Sequence, residues 1–268
     1  MESKIENNDI SIIDLTPDNI ANYGICGYKD VKKHIELRRK IEWYSENYPK
    51  GLRIKALLSN QRGYQGMIEY MPGQIAHRPV NAEGYLFIQC VFVGFKTEFK
   101  GKGFATLLIN ECIGEARKNG SLGVAVVTRS GSFMVDKKLF LKNGFQIVDK
   151  ANPDFELLAL RFDDESIKPS FKLDMNEQLK KYNSGLVILR SPQCPYSEKN
   201  VNAIIETAKK NLKIKTRLIE MKDAVSVQCS PCAFGSFCII YNGDIIAHHP
   251  ISNTRFENIM KSKMNRAS

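Results

Sequence analysis

Between residues 85 and 119 the chain runs from a strand through a glycine-bearing turn into a long helix, and that succession constrains what surrounds it. Tyr85 to Val93 is β-branched and aromatic with no charged residue, which predicts a buried strand. Gly103 to Asn119 repeats apolar residues at three- and four-residue steps (Leu107, Leu108, Cys112, Ile113, Ala116), which predicts a helix with one apolar face, closed by Gly120. Between them stands Lys100-Gly101-Lys102-Gly103-Phe104-Ala105. Glycines let the backbone turn tightly and bring several N–H groups together. The helix that follows adds unpaired N–H groups and the positive end of its dipole, and the two lysines add charge. This is the chemistry of a pyrophosphate cradle. The spacing of a Walker loop is absent, as are the third glycine and later acidic residue of a dinucleotide fingerprint.

The flanking sequence alternates strands and helices. Ile10 to Leu15, Leu52 to Leu58, Gly63 to Tyr70, Val124 to Thr128, Phe145 to Val148 and Phe155 to Phe162 read as strands; Asp30 to Tyr48 and Lys137 to Lys142 read as helices. The texture changes at Asp163-Asp164-Glu165-Ser166-Ile167-Lys168-Pro169-Ser170, which is polar, charged and proline-containing and reads as a linker. The division expected is a first domain over 1–162, a linker over 163–172 and a second domain over 173–268. In the second, a helix near Met175 to Tyr182 precedes the strand Leu186 to Arg190, a helix from Ser197 to Asn211 and the strand Lys213 to Met221. Asn242-Gly243 then predicts a hairpin between Phe237 to Tyr241 and Asp244 to Ala247, and Arg255 to Lys263 a closing helix.

Charge and composition exclude other classes. The net charge of +10 is spread along the chain rather than gathered in a basic arm, which suits an anionic small ligand as well as a nucleic acid. No helix-turn-helix, zinc-finger or stacking signature is present, so no nucleic-acid partner is expected. Apolar runs such as Phe237 to Tyr241 are too short to cross a bilayer, so no membrane partner is expected either. Met1 to Asp9 is acidic and polar, unlike a secretory signal, and the seven cysteines are an odd number; a cytoplasmic protein is expected.

Thr97 to Ala105 resembles the acetyl-CoA signature [RQ]-x-x-G-x-[GA] of the GNAT N-acetyltransferases, with Lys100 in the first position and Gly103 and Ala105 matching. Leu139-Phe140-Leu141-Lys142-Asn143-Gly144-Phe145 is similar to that family's L-Y-x-K-x-G-F. The resemblance covers roughly Ile10 to Phe162. It implies an α/β (α+β) fold: a mixed, mostly antiparallel sheet with helices on both faces, splayed open between Tyr85–Val93 and Val124–Thr128. It also implies acetyl-CoA as co-substrate, with pantetheine along the backbone of Val91, Phe92 and Val93. The pyrophosphate would rest on Lys100, Gly101, Lys102, Gly103, Phe104 and Ala105. An amine, from a small molecule or a protein, would attack the thioester directly, and a backbone N–H near Val93 would stabilise the oxyanion.

The sequence departs from the family pattern where catalysis is concerned. The tyrosine thought to protonate the leaving thiolate falls on Phe140, whose ring has no proton to give. An asparagine often found before that helix falls near Phe133. Two extra residues lie between Val93 and the glycine turn. Candidates for the general base are Cys90 on the strand beside the cleft, Glu69 on a neighbouring strand and His77 in the loop between strands. Each has a plain structural reading beside the catalytic one: a solvated carboxylate for Glu69, a surface histidine for His77, a small buried hydrophobe for Cys90.

The second domain draws attention through its cysteines. Cys194-Pro195-Tyr196-Ser197 resembles the glutaredoxin C-P-Y-C with the second cysteine replaced, and the order of elements is similar to a thioredoxin-like fold. A thiol opening a helix would be favoured as thiolate. The proline expected before the hairpin strand is missing; its place falls near Gly235, four residues after Pro231. Cys229-Ser230-Pro231-Cys232 reads as a dithiol pair or half a metal site, with Cys194 able to complete it and zinc the metal. His248 and His249 offer further ligands but read more readily as exposed hairpin residues, and Cys238 reads as core. The two-part layout, with Ser230 to Gly235 and Pro250 to Phe256, resembles the YoaP-like acetyltransferases of bacteria. The activity expected is acetyl-CoA-dependent N-acyl transfer. The alternative is a thiol-redox or metal-binding protein whose first domain only binds or senses acyl-CoA.

Overall fold

The computed structural model describes residues 9–94 and 96–265, which divide into two compact units. The first takes in the chain up to Ala76 and Val80–Phe171; the second takes in His77–Pro79 and the chain from Lys172 on. In the first unit the elements are β1 (Ile10–Leu15), α1 (Ile20–Tyr23), α2 (Ile35–Asn47), β2 (Arg53–Ser59), β3 (Gly63–Pro72), β4 (Val80–Asn81) and β5 (Tyr85–Val93). They continue as α3 (Phe104–Lys118), β6 (Gly123–Thr128), α4 (Lys137–Lys142), β7 (Gln146–Ala151), β8 (Phe155–Arg161) and β9 (Ser170–Phe171). A seven-stranded sheet runs β1-β2-β3-β5-β6-β8-β7. Every neighbouring pair is antiparallel except β5 with β6, which α3 connects as a crossover. The mixed, mostly antiparallel GNAT-type sheet expected from the sequence is therefore present.

One face of this sheet is covered by α3 and α4. Leu86, Ile88 and Val91 of β5 pack with Phe104, Leu108, Ile109, Cys112 and Ala116 of α3 and with Phe140 of α4. The apolar face of α3 is rotated from the one its spacing suggests: Leu107 is 44% exposed, whereas Ile109 is fully buried. Phe104 sets that rotation by turning inward at the first residue of the helix, its ring 6.1 Å from that of Phe99. Leu108 and Ile109 each contribute about 1.5–3 kcal/mol from apolar burial, an upper bound on area arguments. On the other side of β3, α2 buries Leu37, Lys40, Trp43 and Tyr44, and the Tyr44 hydroxyl donates to the Leu15 carbonyl at 2.6 Å.

The stretch expected to be a linker is folded into the first unit. β9 pairs with β4, the Tyr85 hydroxyl donates to the Ile167 carbonyl at 2.8 Å, and the Phe171 N–H donates to Asp149 at 2.7 Å. Backbone groups of the stretch are thus satisfied by side chains of the same unit, while Asp163, Asp164, Glu165 and Lys168 stay exposed.

The second unit holds α5 (Met175–Leu179), β10 (Leu186–Arg190), α6 (Val201–Glu206), β11 (Thr216–Glu220), α7 (Ala224–Gln228), β12 (Phe237–Tyr241), β13 (Asp244–Ala247) and α8 (Asn253–Asn265). Its sheet runs β11-β10-β12-β13, with β10 and β11 parallel and the remaining pairs antiparallel. Asn242 and Gly243 both take positive φ, as a two-residue hairpin turn requires. Among the described residues no helix is long and apolar enough to cross a membrane.

Candidate functional site

The first unit opens along β5. From Tyr85 to Ile88 this strand pairs with Gly123 to Val126 of β6, and there the ladder stops. Val127 and Thr128 continue beside β8, while Gln89 to Val93 continue beside β3, so β5 and β6 part company. The parting coincides with a bulge: Glu69 faces Cys90 and Tyr70 faces Ile88, leaving Gln89 as the extra residue. Antiparallel pairs alternate between bonded and non-bonded. The Gly94 N–H donates to the Gln65 carbonyl at 2.9 Å. In that register Phe92 and Cys90 bond back to β3, whereas Val91 and Val93 turn their N–H and C=O groups toward the side β6 has left. The gap is thus edged by main-chain donors and acceptors.

Beyond Val93 the chain makes a short 3-10 turn over Thr97–Phe99. Lys100 to Gly103 follow as an exposed loop. Gly101 has φ +70° and Gly103 has φ +83°, a region disfavoured for side chains, and a Cβ on either would meet nothing within 4 Å. The loop is therefore strained for any other residue yet open in front. Gly103 caps α3 without any side-chain bond, leaving the first N–H groups of the helix directed at the opening. Lys100 folds its stem back over Gly94, so that a Cβ there would stand 2.7 Å from Lys100 Cγ. Open space, orphan N–H groups, a helix dipole and two lysines fit a pyrophosphate.

The candidate bases fare differently. Glu69 is fully buried and forms an ion pair with Lys40, itself fully buried and 4.2 Å from the centre of the Trp43 ring. It is neither solvated nor able to touch a substrate, because α2 lays Lys40 over it. His77 belongs to the second unit, is fully buried, and has Nδ1 3.4 Å from Ser191 Oγ. It is thus not a surface histidine. Cys90 alone of the three is partly exposed on the splayed half of β5. Phe140 is 1% exposed, edge-on to Phe145 at 5.4 Å, and belongs to the core beneath α4. Sequence reasoning missed Lys40, whose place inside an amphipathic helix gave it the look of a surface residue.

In the second unit the helix expected from Ser197 is broken. Cys194 precedes a 3-10 turn over Pro195–Ser197, and α6 starts only at Val201 before continuing as a π-turn over Thr207–Asn211. The Ser197 hydroxyl donates to the carbonyls of Ser191 and Cys194, holding the turn closed, so Cys194 does not sit on the end of a long helix dipole. The seven cysteines, all among the described residues, are free thiols. Within the C-x-x-C, Cys229 is exposed and Cys232 buried. Cys232 instead meets His248, Sγ to Nδ1 at 3.3 Å, and Cys238 of β12. His248 is therefore not a bystander on the hairpin edge: the turn back into β13 delivers it to the sulfur. Burial opposes ionisation of Cys232, but the bonds from Cys238 and His248 outweigh it and hold this thiol well below the ordinary range. Cys238 is pushed upward by the same bond to Cys232 and by burial, so the proton stays on Cys238. Among the described residues no group of three or more His, Cys, Asp or Glu is placed to hold a metal, which leaves zinc without a site there.

A family model described as YoaP-like matches residues 216–258, from β11 into α8. Over 254 residues the chain is 27% identical to a protein of Bacillus subtilis (strain 168) named "Uncharacterized N-acetyltransferase YoaP", spanning 93% of this chain and 98% of that one. The likeness is to a GNAT-type, YoaP-like N-acetyltransferase. Solved structures similar to it include the putative acetyltransferase yncA of Salmonella typhimurium with acetyl-CoA, with 15% identity and a TM-score of 0.44 over 60% of this chain and 98% of that one. Another is the paia N-acetyltransferase of Thermoplasma acidophilum with coenzyme A, with 16% identity and a TM-score of 0.40 over 57% of this chain and 99% of that one.

Proposed function

We propose that this chain is an acetyl-CoA-dependent N-acetyltransferase whose first unit binds the thioester in the gap between β5 and β6. The observation that carries the reading is the parting of these strands at Ile88, directly before a glycine loop that opens a helix. The backbone of Val91, Phe92 and Val93 would hold the pantetheine amides, and the N–H groups from Gly101 to Ala105 the pyrophosphate, with Lys100 and Lys102 adding charge. Acetyl-CoA supplies an activated acyl group to an amine, from a small molecule or a protein. A main-chain N–H near Val93, fixed by the β3–β5 ladder, would stabilise the oxyanion without reorganisation.

Neither Phe140 nor the buried Glu69 serves as acid or base in this scheme; Cys90 is the titratable group on the splayed strand. The second unit, a thioredoxin-like module in this reading, would add a thiol function. The contact between Cys232 and His248 favours Cys232 rather than the pair Cys229–Cys232 as its reactive centre.

Calorimetric titration with acetyl-CoA, on the wild type and on Gly103→Glu, tests the reading. Micromolar binding, about −8 kcal/mol, lost in the variant supports it. Release of free CoA thiol with an amine panel then establishes turnover. Absence of wild-type binding under reducing conditions overturns it.

A further inference from the structure

A second concavity lies in the first unit, at the start of β3, beside the segment that leads from β5 into the glycine loop. It encloses about 230 Å³, below the roughly 300–1,000 Å³ of pockets that take drug-sized ligands. Its wall is made by the loop after α1. Ile25 and Tyr28 exchange two backbone hydrogen bonds of 2.9 Å across a turn in which Cys26 and Gly27 take positive φ. Gly24 lets that loop close, since a Cβ there would meet the Tyr28 carbonyl oxygen at 2.2 Å. Three tyrosine rings line the hollow: Tyr23, Tyr28 and Tyr64. Tyr28 is braced edge-on by His34 at 5.0 Å, and Tyr64 leans on Phe92 of the splayed strand at 6.1 Å.

Two features specify a ligand. The first is Gln65, which lines the pocket and is only 2% exposed. Its amide nitrogen donates to the carbonyls of Arg62 at 2.9 Å and Gly63 at 3.2 Å. Both partners are acceptors, so the amide orientation is fixed and Oε1 is the end left over; it has no hydrogen-bond partner among the described residues. A buried acceptor in this condition calls for a donor. The second is charge. Lys29, Arg62 and Lys96 line the same pocket, and among the described residues an ion pair is formed by Arg62 alone of the three, with Glu98 at 3.6 Å. A ligand with an N–H donor at one end and an anionic group at the other satisfies both. The pocket also adjoins the gap: the Gln65 carbonyl accepts from Gly94, and the next residue, Gly66, faces Val93.

We infer that this pocket seats the acyl acceptor and that the acceptor is a small amine bearing a carboxylate, its N–H donor on Gln65 Oε1 and its carboxylate among Lys29, Arg62 and Lys96. The inference rests on the acetyltransferase reading and names the substrate class of that enzyme. Tyr64 lines the pocket from β3, one residue before Gln65.

The test uses matched pairs, an amino acid and the amine left by removing its carboxylate: lysine and cadaverine, tyrosine and tyramine, histidine and histamine. Each is titrated calorimetrically into the full chain, with and without acetyl-CoA. At least one amino acid is expected to bind about ten-fold or more tightly than its decarboxylated partner. Lys29→Glu and Arg62→Glu, both at the rim, are expected to erase that preference while the affinity for acetyl-CoA stays unchanged. Gln65→Leu is expected to weaken both members of a pair; should it fail to fold, the two rim variants still decide. Equal or tighter binding of the decarboxylated members overturns the inference, as does binding of acetyl-CoA with no binding of any amino acid. Absence of acetyl-CoA binding overturns the acetyltransferase reading itself and the inference with it, and is seen separately in the cofactor titration.

Discussion

Removing one partner of the Lys40–Glu69 pair should damage the first unit far more than removing both. Both side chains are fully buried, 29 residues apart in sequence, and the ammonium also lies 4.2 Å from the centre of the Trp43 ring. Lys40→Met leaves a buried carboxylate without the ammonium that faces it. The expected loss is about 3–5 kcal/mol, the range for breaking a buried pair from one side, with the lost cation–π contact included. Lys40→Met combined with Glu69→Leu removes both charges at similar volume and should lie within about 1 kcal/mol of the wild type. Trp43 is the single tryptophan of the chain and touches the pair, so its fluorescence follows this unit alone during urea unfolding. With a denaturant slope of about 2 kcal/mol per molar, the single variant should unfold about 1.5–2.5 M earlier and the double variant close to the wild type. A loss below about 1 kcal/mol in the single variant would refute the reasoning. It would mean that water reaches Glu69, and would return that carboxylate to the list of catalytic bases.

Three further outcomes are expected. Gly103→Ala has room for its methyl group but keeps φ at +83°, so it should cost about 1–2 kcal/mol in thermal or urea unfolding while retaining acetyl-CoA binding; loss of binding as complete as in Gly103→Glu would show that the loop tolerates no side chain at all. Phe140→Tyr places a hydroxyl in the core beside Phe145 and should destabilise by about 1–3 kcal/mol without raising turnover; a faster, equally stable variant would place this ring at the thioester. Cys232, held at about 5, binds no proton in the folded chain over a window where an unfolded thiol, near 8.5, still binds one. Its contribution to stability should therefore rise with pH from about 5 to 8.5 and be lost as pH falls through 5. Cys232→Ser and His248→Ala should flatten that slope in pH-dependent melts, and an unchanged slope would show that Cys232 is protonated.

The elements that edge the gap were legible because each follows one period. Tyr85 to Val93 is uniformly apolar, and the helix after it repeats every three or four residues. Where the reading failed, a contact distant in sequence decided. The bulge at Gln89 shifts register by one residue inside an uncharged run, where neither face announces itself. Lys40 looks like any charged residue in a helix until β3 brings Glu69 beneath it. The local spacing Cys229 to Cys232 suggested a pair, but α7 ends at Gln228 and leaves Cys229 in solvent, while the hairpin returns His248 to Cys232. His77 stands between two short elements of the first unit, yet the fold assigns it to the second.

The polar lining of the gap between β5 and β6 consists of peptide groups, with valine side chains at Val91 and Val93 turned elsewhere. Alanine scanning is blind to such a surface, since every residue except proline presents the same N–H and C=O. Replacing the peptide bond at Val91 or Val93 by an ester deletes a single donor and leaves the side chains untouched, whereas proline deletes the same donor together with the valine side chain. The corollary concerns descent as much as experiment. A groove built from main chain persists while its side chains drift, so two chains can share little identity and keep the same cleft.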